Sequence, residues 1–228
     1  MQKIVEGLFI LERTGFSNGY LIVEDAGLII VDTGPPGRTD AILREIKEGG
    51  FPPEKIRHIF LTHFHHDHVG NATEISSITG AQIYIHEADA DVVKGKAPVP
   101  AGQSIIGKLL SPLLNRAFKF KPVEKPFLLS DGSRDFLPFQ IIHVPGHTPG
   151  STCLFHPEKA ILICGDAINH RGGRLSPPPS LFTMDVEKAW KSLKKLASLD
   201  FSILLPGHGP PIISGAAERV RKLFRSVR

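Results

Sequence analysis

The sequence predicts a single mixed α/β domain, and three observations carry that expectation. Short β-branched runs alternate with helical patterns along the 228 residues. With 41% hydrophobic and 22% charged residues, the chain has enough apolar material to bury one full core. Four of the apolar runs are followed at once by a histidine or an aspartate, which gives the strand ends a common chemistry.

Strand-like runs lie at 20–23, 28–31, 59–62, 83–85, 141–144, 152–155, 161–164 and 203–205. A helix is expected over 40–48, where Ile42 and Ile46 stand at i, i+4, Thr39 is placed to cap the start and Gly49 to stop it. Similar patterns at 71–79 (Ile75, Ile78, then Gly80) and 186–199 (Ala189, Trp190, Leu193, Leu196, Ala197) predict two more, the last entered through Asp185. The stretch 87–130 breaks the rhythm and reads as an insertion into the domain 1–228. Its Ile105, Ile106, Leu109, Leu110, Leu113 and Leu114 have helical spacing, but Pro112 should kink or end that helix. This insertion is expected to form either an apolar wall for substrate or a dimer contact.

The first residues lack a charged start followed by a long apolar run, and no segment has 18 consecutive apolar residues, so a cytoplasmic protein without a membrane partner is expected. The tail 216–228 holds Arg219, Arg221, Lys222, Arg225 and Arg228 against Glu218 alone. It is read as a helix packing Val220, Leu223, Phe224 and Val227 with solvated charges, rather than as a nucleic-acid surface. Cys153 and Cys164 lie in runs that a hairpin would pair, and buried free thiols are expected there.

The segment THFHHDHVGN places four metal-competent side chains, His63, His65, Asp67 and His68, within six positions directly after the run IFLT. His147 follows IIHVPG, Asp166 follows AILICG and His208 follows SILLPG. In open α/β sheets, sites form in the crevice beyond the strands' carboxyl ends, so these four loops are expected to converge. Three neutral imidazoles suit a catalytic zinc, and an aspartate, two imidazoles and a shared carboxylate suit a second ion. His58, His66 and His156 are read as structural or solvated, and His86 and His143 as loop-orienting hydrogen bonders, while His170 is left open. Asp32, at the end of LIIVD, is read as an acceptor for the N–H of a ligating imidazole.

In this order THFHHDHVGN, VPGHTPGS, ICGDAI and LLPGHG resemble the motifs of the metallo-β-lactamase superfamily, over residues 18–211. The resemblance implies a four-layer αββα sandwich with the metals at one edge. It also implies that His63, His65 and His147 hold one divalent ion, that Asp67, His68 and His208 hold another, and that Asp166 bridges them. The ions expected are zinc, with iron or manganese as alternatives. The activity implied is a dinuclear hydrolase, in which a metal-bridging hydroxide cleaves an ester, thioester or lactone of a small-molecule substrate and Asp67 carries the proton.

Departures from subfamily patterns narrow this further. Only 20 residues follow His208, where glyoxalase II enzymes carry a helical domain. Asp166 stands where the best-known β-lactamases have cysteine, and Asn169 where quorum-quenching lactonases have tyrosine. RNA-processing relatives carry an extra arm or domain, so nucleic acid is not the expected substrate. The alternatives kept open are a mononuclear iron persulfide dioxygenase and a metal-dependent phosphodiesterase or nuclease.

Overall fold

The computed structural model describes residues 1–117, 119–130, 135–136 and 138–225. The chain divides into two compact units, Met1–Val99 with Leu113–Leu129, and Pro100–Pro112 with Ser130–Arg228.

The first unit is built on a seven-stranded sheet. Strands β1 (Gln2–Val5), β2 (Leu8–Leu11), β3 (Gly19–Glu24) and β4 (Gly27–Val31) form an antiparallel meander. Helix α1 (Thr39–Glu48) then crosses over to β5 (Ile56–Phe60), parallel to β4. After α2 (His66–Val69) and α3 (Ala72–Thr79), β6 (Gln82–His86) adds in parallel beside β5. Ile42 and Ile46 are fully buried on one face of α1, as their i, i+4 spacing requires, with Ile30, Val31, Ile59 and Phe60 in the same unit's core. In α3, Ile75 is fully buried but Ile78 is exposed.

Beyond β6 come α4 (Ala90–Val93), α5 (Ile105–Ala117) and β7 (Phe127–Leu129), which pairs in parallel with β6 and ends the sheet. The region 87–130 thus supplies a strand as well as helices. Of the two outcomes expected at Pro112, a kink or an end, the helix does not end there, since α5 runs through it. The ring removes one amide donor, and the other rungs of the 13-residue helix carry it past this point. Ile105, Ile106, Leu109, Leu110 and Leu113 of α5 are exposed, up to 78% for Ile105.

The second unit carries the sheet order β14-β11-β10-β9-β8, made by β8 (Asp135–Phe136), β9 (Phe139–His143), β10 (Thr152–His156), β11 (Ile161–Gly165) and β14 (Ile203–Pro206). Between β11 and β14 lie the ribbon β12 (Asn169–Arg171) and β13 (Arg174–Ser176) and helix α6 (Val186–Ala197). The crossover makes β14 parallel to β11 while the β9–β10–β11 meander is antiparallel. Helix α7 (Ala216–Arg225) packs on α6 and β14, with Val220 fully buried and Leu223 against the core, as expected for the basic tail. Val227 lies outside the described residues. Both cysteines are buried free thiols in this core. Among the described residues no helix is long and apolar enough to cross a membrane.

Two element ends differ from the sequence expectation for a visible reason. The strand expected over 59–62 stops at Phe60, because the Thr62 amide turns to donate to Asp32 Oδ1 (2.8 Å) instead of continuing the ladder. Thr39 is the first residue of α1 rather than its cap, and its hydroxyl donates to Glu74 Oε2 (2.6 Å).

Candidate metal centre

On the first unit, the loop after β5 carries His63, His65, Asp67 and His68 in a tight turn that opens α2. His63 and His68 are buried, and Asp67 keeps 21% of its side chain exposed. The two imidazoles of His63 and His65 stand almost perpendicular, with Nε2 of the first and Nδ1 of the second 3.0 Å apart. Two nitrogens on one tetrahedral zinc would be about 3.3 Å apart, so this pair already approximates two corners of a coordination shell.

The protonation pattern of this loop follows from one buried carboxylate. Asp32, 2% exposed, receives the Thr62 hydroxyl (2.7 Å) and His68 Nδ1 (2.7 Å) on the same oxygen. His68 therefore donates through Nδ1 and keeps its lone pair on Nε2. Because the Thr62 hydroxyl hydrogen is spent on Asp32, its oxygen accepts from His63 Nδ1 (3.0 Å), and His63 likewise keeps the Nε2 lone pair. Asp32 performs this with φ of +57°, a conformation that costs a non-glycine residue energy and that Asp tolerates better than most. The other side of the loop is held by Asp89, fully buried, whose Oδ2 accepts from the Phe64 amide (3.1 Å). The carbonyl of Asp67 accepts from the Ser17 hydroxyl. The turn 33–34 clamps α2 through Thr33 N to His68 O (2.7 Å) and Gly70 N to Gly34 O (3.0 Å).

On the second unit, His147, Asp166 and His208 come from the ends of β9, β11 and β14, and the structure gathers them around one carboxylate oxygen. Asp166 Oδ2 lies 3.5 Å from Nε2 of His147 and 3.5 Å from Nε2 of His208. The Thr183 hydroxyl donates to Pro179 O (2.8 Å) and so accepts from His147 Nδ1 (3.3 Å), which again leaves the lone pair on Nε2. His208 is positioned by backbone. Gly207 N donates to Gly165 O (2.7 Å), His170 N donates to His208 O (3.2 Å), and His170 Nδ1 donates to Pro210 O (2.7 Å). The loop closes so tightly that a Cβ on Gly209, at φ +85°, would sit 1.6 Å from His170 O.

The remaining histidines each have local neighbours. The His86 ring accepts from Ala88 N (3.2 Å), His143 Nε2 donates to Pro149 O (2.8 Å), and buried His156 accepts from Lys159 N (3.3 Å). Burial and neighbouring Arg57 hold the His58 pKa below its ordinary value, and the His66 ring lies 5.7 Å from that of Phe120. Three supporting residues were not singled out from the sequence: Thr62, Asp89 and Thr183. Thr62 had a signal, since it opens the ligand segment, and His170 had one as a histidine just past the Asp166 loop. Nothing local marks Asp89 or Thr183.

The model of the metallo-beta-lactamase superfamily matches residues 13–208. The probable metallo-hydrolase YflN of Bacillus subtilis (strain 168) is 33% identical over 206 residues, 83% of this chain and 78% of that protein. Among solved structures, the chain is similar to the metallo-beta-lactamase family protein TTHA1429 from Thermus thermophilus, with a TM-score of 0.77 and 21% identity, covering 98% of this chain and 80% of that one. It is also similar to TTHA1623 in a di-iron-bound form, with a TM-score of 0.71 and 26% identity, covering 89% of this chain and 93% of that one. The α/β fold described above is the fold of these proteins.

Proposed function

Taking as premise that the chain belongs to the metallo-β-lactamase superfamily and is a metal-dependent hydrolase of that group, we propose that it uses two divalent ions to hydrolyse an ester, thioester or lactone of a small molecule. His63, His65 and His147 hold one ion, Asp67, His68 and His208 hold the other, and Asp166 is shared. The donor set fits such ions chemically: five imidazoles and two carboxylates, with no thiolate, suit zinc, iron or manganese. Zinc is the ion proposed, and the di-iron form of TTHA1623 makes iron the first alternative.

The observation that carries the reading is the position of Asp166 Oδ2, equidistant at 3.5 Å from the Nε2 atoms of two histidines assigned to different ions. A carboxylate between two such nitrogens is what a bridging ligand requires. When bound, two such ions supply a nucleophile from water near neutral pH and polarise the substrate's carbonyl oxygen. The chain's own residues do the rest. Asp32, Thr62 and Thr183 fix the imidazole tautomers so that each presents a lone pair. Asp67, the partly exposed carboxylate of the first unit's loop, takes up a proton and returns it to the leaving group.

Metal analysis of protein purified without added metal tests this directly, followed by assay against thioesters, lactones, phosphodiesters and β-lactams. Two ions per chain and turnover of an acyl substrate are expected. One iron per chain with persulfide-dependent oxygen uptake would replace the reading with a dioxygenase, and turnover of phosphodiesters alone would replace it with a phosphodiesterase. In Asp67→Asn, which keeps the shape and one oxygen but no proton acceptor, kcat should fall far more than KM changes.

A further inference from the structure

We infer that Asp89 is a positioning residue for the ligand loop, acting on the peptide between two metal ligands; the inference rests on the metal assignment proposed above. A carboxylate removed from water costs free energy unless its oxygens are bonded, so a fully buried aspartate in this unit needs a specific task. One bond identifies it. Asp89 Oδ2 accepts from the amide of Phe64 at 3.1 Å, and Phe64 stands between His63 and His65.

The geometry shows why that amide matters. Residues 62–64 bend away from the strand, so the directions of the His63 and His65 side chains are set by what holds the turn rather than by strand alternation. The Phe64 side chain is 1% exposed and anchors the turn in the core. The bond to Asp89 fixes the plane of the peptide joining His63 to Phe64, and with it the direction in which the His63 side chain leaves the backbone. With both constraints, the His63 and His65 rings meet at 86° with nitrogens 3.0 Å apart. If either constraint is lost, the loop can rotate about Phe64 and the two nitrogens separate.

The sheet delivers Asp89 to this place. β6 runs parallel to β5 with Ile59 opposite Ile83 and Phe60 opposite Tyr84, and Leu61 N still donates to Tyr84 O (2.9 Å) where the ligand loop begins. β6 ends two residues later at His86, whose ring accepts from Ala88 N and caps the single 3-10 turn Glu87–Asp89. That turn carries the carboxylate back beside the neighbouring strand's exit. Asp32 and Asp89 therefore serve different atoms: Asp32 sets the protons on the imidazoles, and Asp89 sets the backbone from which two of them project.

The test compares the wild-type protein with Asp89→Ala, Asp89→Asn and Asp89→Leu. Three quantities are read: zinc affinity by chelator competition, the visible absorption of the cobalt-loaded protein, and the melting temperature of the metal-free protein. Asp89→Ala should weaken zinc binding by about 10–100-fold, the range for removing a group that orients a ligand. Its cobalt spectrum should change, since band shape and intensity follow ligand geometry. Asp89→Asn retains an acceptor oxygen and should restore both affinity and spectrum. Asp89→Leu, close in size but without an acceptor, supplies the comparison if the alanine variant does not fold, and it should behave as alanine is expected to. Wild-type affinity and cobalt spectrum in folded Asp89→Ala or Asp89→Leu would overturn the inference alone. A wild-type protein that binds no metal would overturn it together with the reading on which it rests.

Discussion

The candidate ligand loop of the first unit and the three candidate ligand loops of the second are held by different construction. The first is one contiguous segment braced by two buried carboxylates, Asp32 and Asp89. The second joins three strand ends through neutral acceptors, the Thr183 hydroxyl and the carbonyls of Gly165, His208 and Pro210. A contiguous loop can be held by a few strong, charge-assisted bonds because its ligands move together. Ligands from separate strands depend on the register of β11 with β14 and on backbone packing that tolerates no extra atom. Damage in the second unit should therefore be steric, whereas in the first it should also be electrostatic, although Gly34 and Gly70 leave no room for a Cβ there either.

The comparison breaks most severely at Asp166, where no brace can substitute for the oxygen proposed to be shared. Asp166→Ala should lose both ions and reduce turnover by several orders of magnitude, and metal analysis beside kcat/KM checks it; normal metal content would remove the bridging assignment. Next in size is Gly209→Ala, in which a methyl group at φ +85° must displace the His170 carbonyl. A loss of about 3 kcal/mol or more is expected from the clash and the strained backbone. Urea unfolding measures it, and a wild-type midpoint would show that the loop has room to relax.

The two kinds of brace are separated by Asp32→Asn and Thr183→Val. Asparagine keeps the left-handed backbone accessible but offers one acceptor oxygen where three donors converge. Zinc affinity should fall about 10–100-fold in Asp32→Asn, toward the upper end, and by less in Thr183→Val, whose bond to His147 is long at 3.3 Å. Equal losses in the two variants would erase the distinction between charged and neutral support.

The smallest effect concerns pH. Lys121 bonds Glu74 (2.6 Å), with the Thr39 hydroxyl on the same carboxylate, and together they hold the Glu74 carboxyl below its ordinary pKa. A depressed carboxyl contributes stability that is present above the unfolded-state value and is lost as pH falls through the folded one. Lys121→Ala should therefore flatten slightly the acid side of the curve of melting temperature against pH, below about pH 5. An unchanged acid limb would show that this exposed pair does not support the first unit.

The candidate ligands could be listed from the sequence because each of their four segments follows an apolar run, and strand-end position is a local property. His63, His147, Asp166 and His208 could be listed in order without knowing which strands were neighbours. Asp32 was legible for the same reason. Asp89 and Thr183 were not, since their partners lie 25 and 36 residues away and are met only through sheet register and the loop before α6. Whether the helix would end at Pro112 was not legible, because a local penalty does not weigh the rest of the helix around it. The first two strands were missed because Lys3, Glu6 and the exposed edge dilute their alternation.

The chain's two cysteines both lie in the second unit, on the facing strands β10 and β11, and neither exceeds 1% exposure. Burial pushes both thiols well above their ordinary pKa, so they are protonated as well as shielded. An alkylating reagent can then react only in molecules whose second sheet has opened, and the rate of modification becomes a clock for that opening. The first unit contributes no signal to this clock. Labelling kinetics would thus time one half of the molecule while the other stays silent, and no probe need be engineered into the chain.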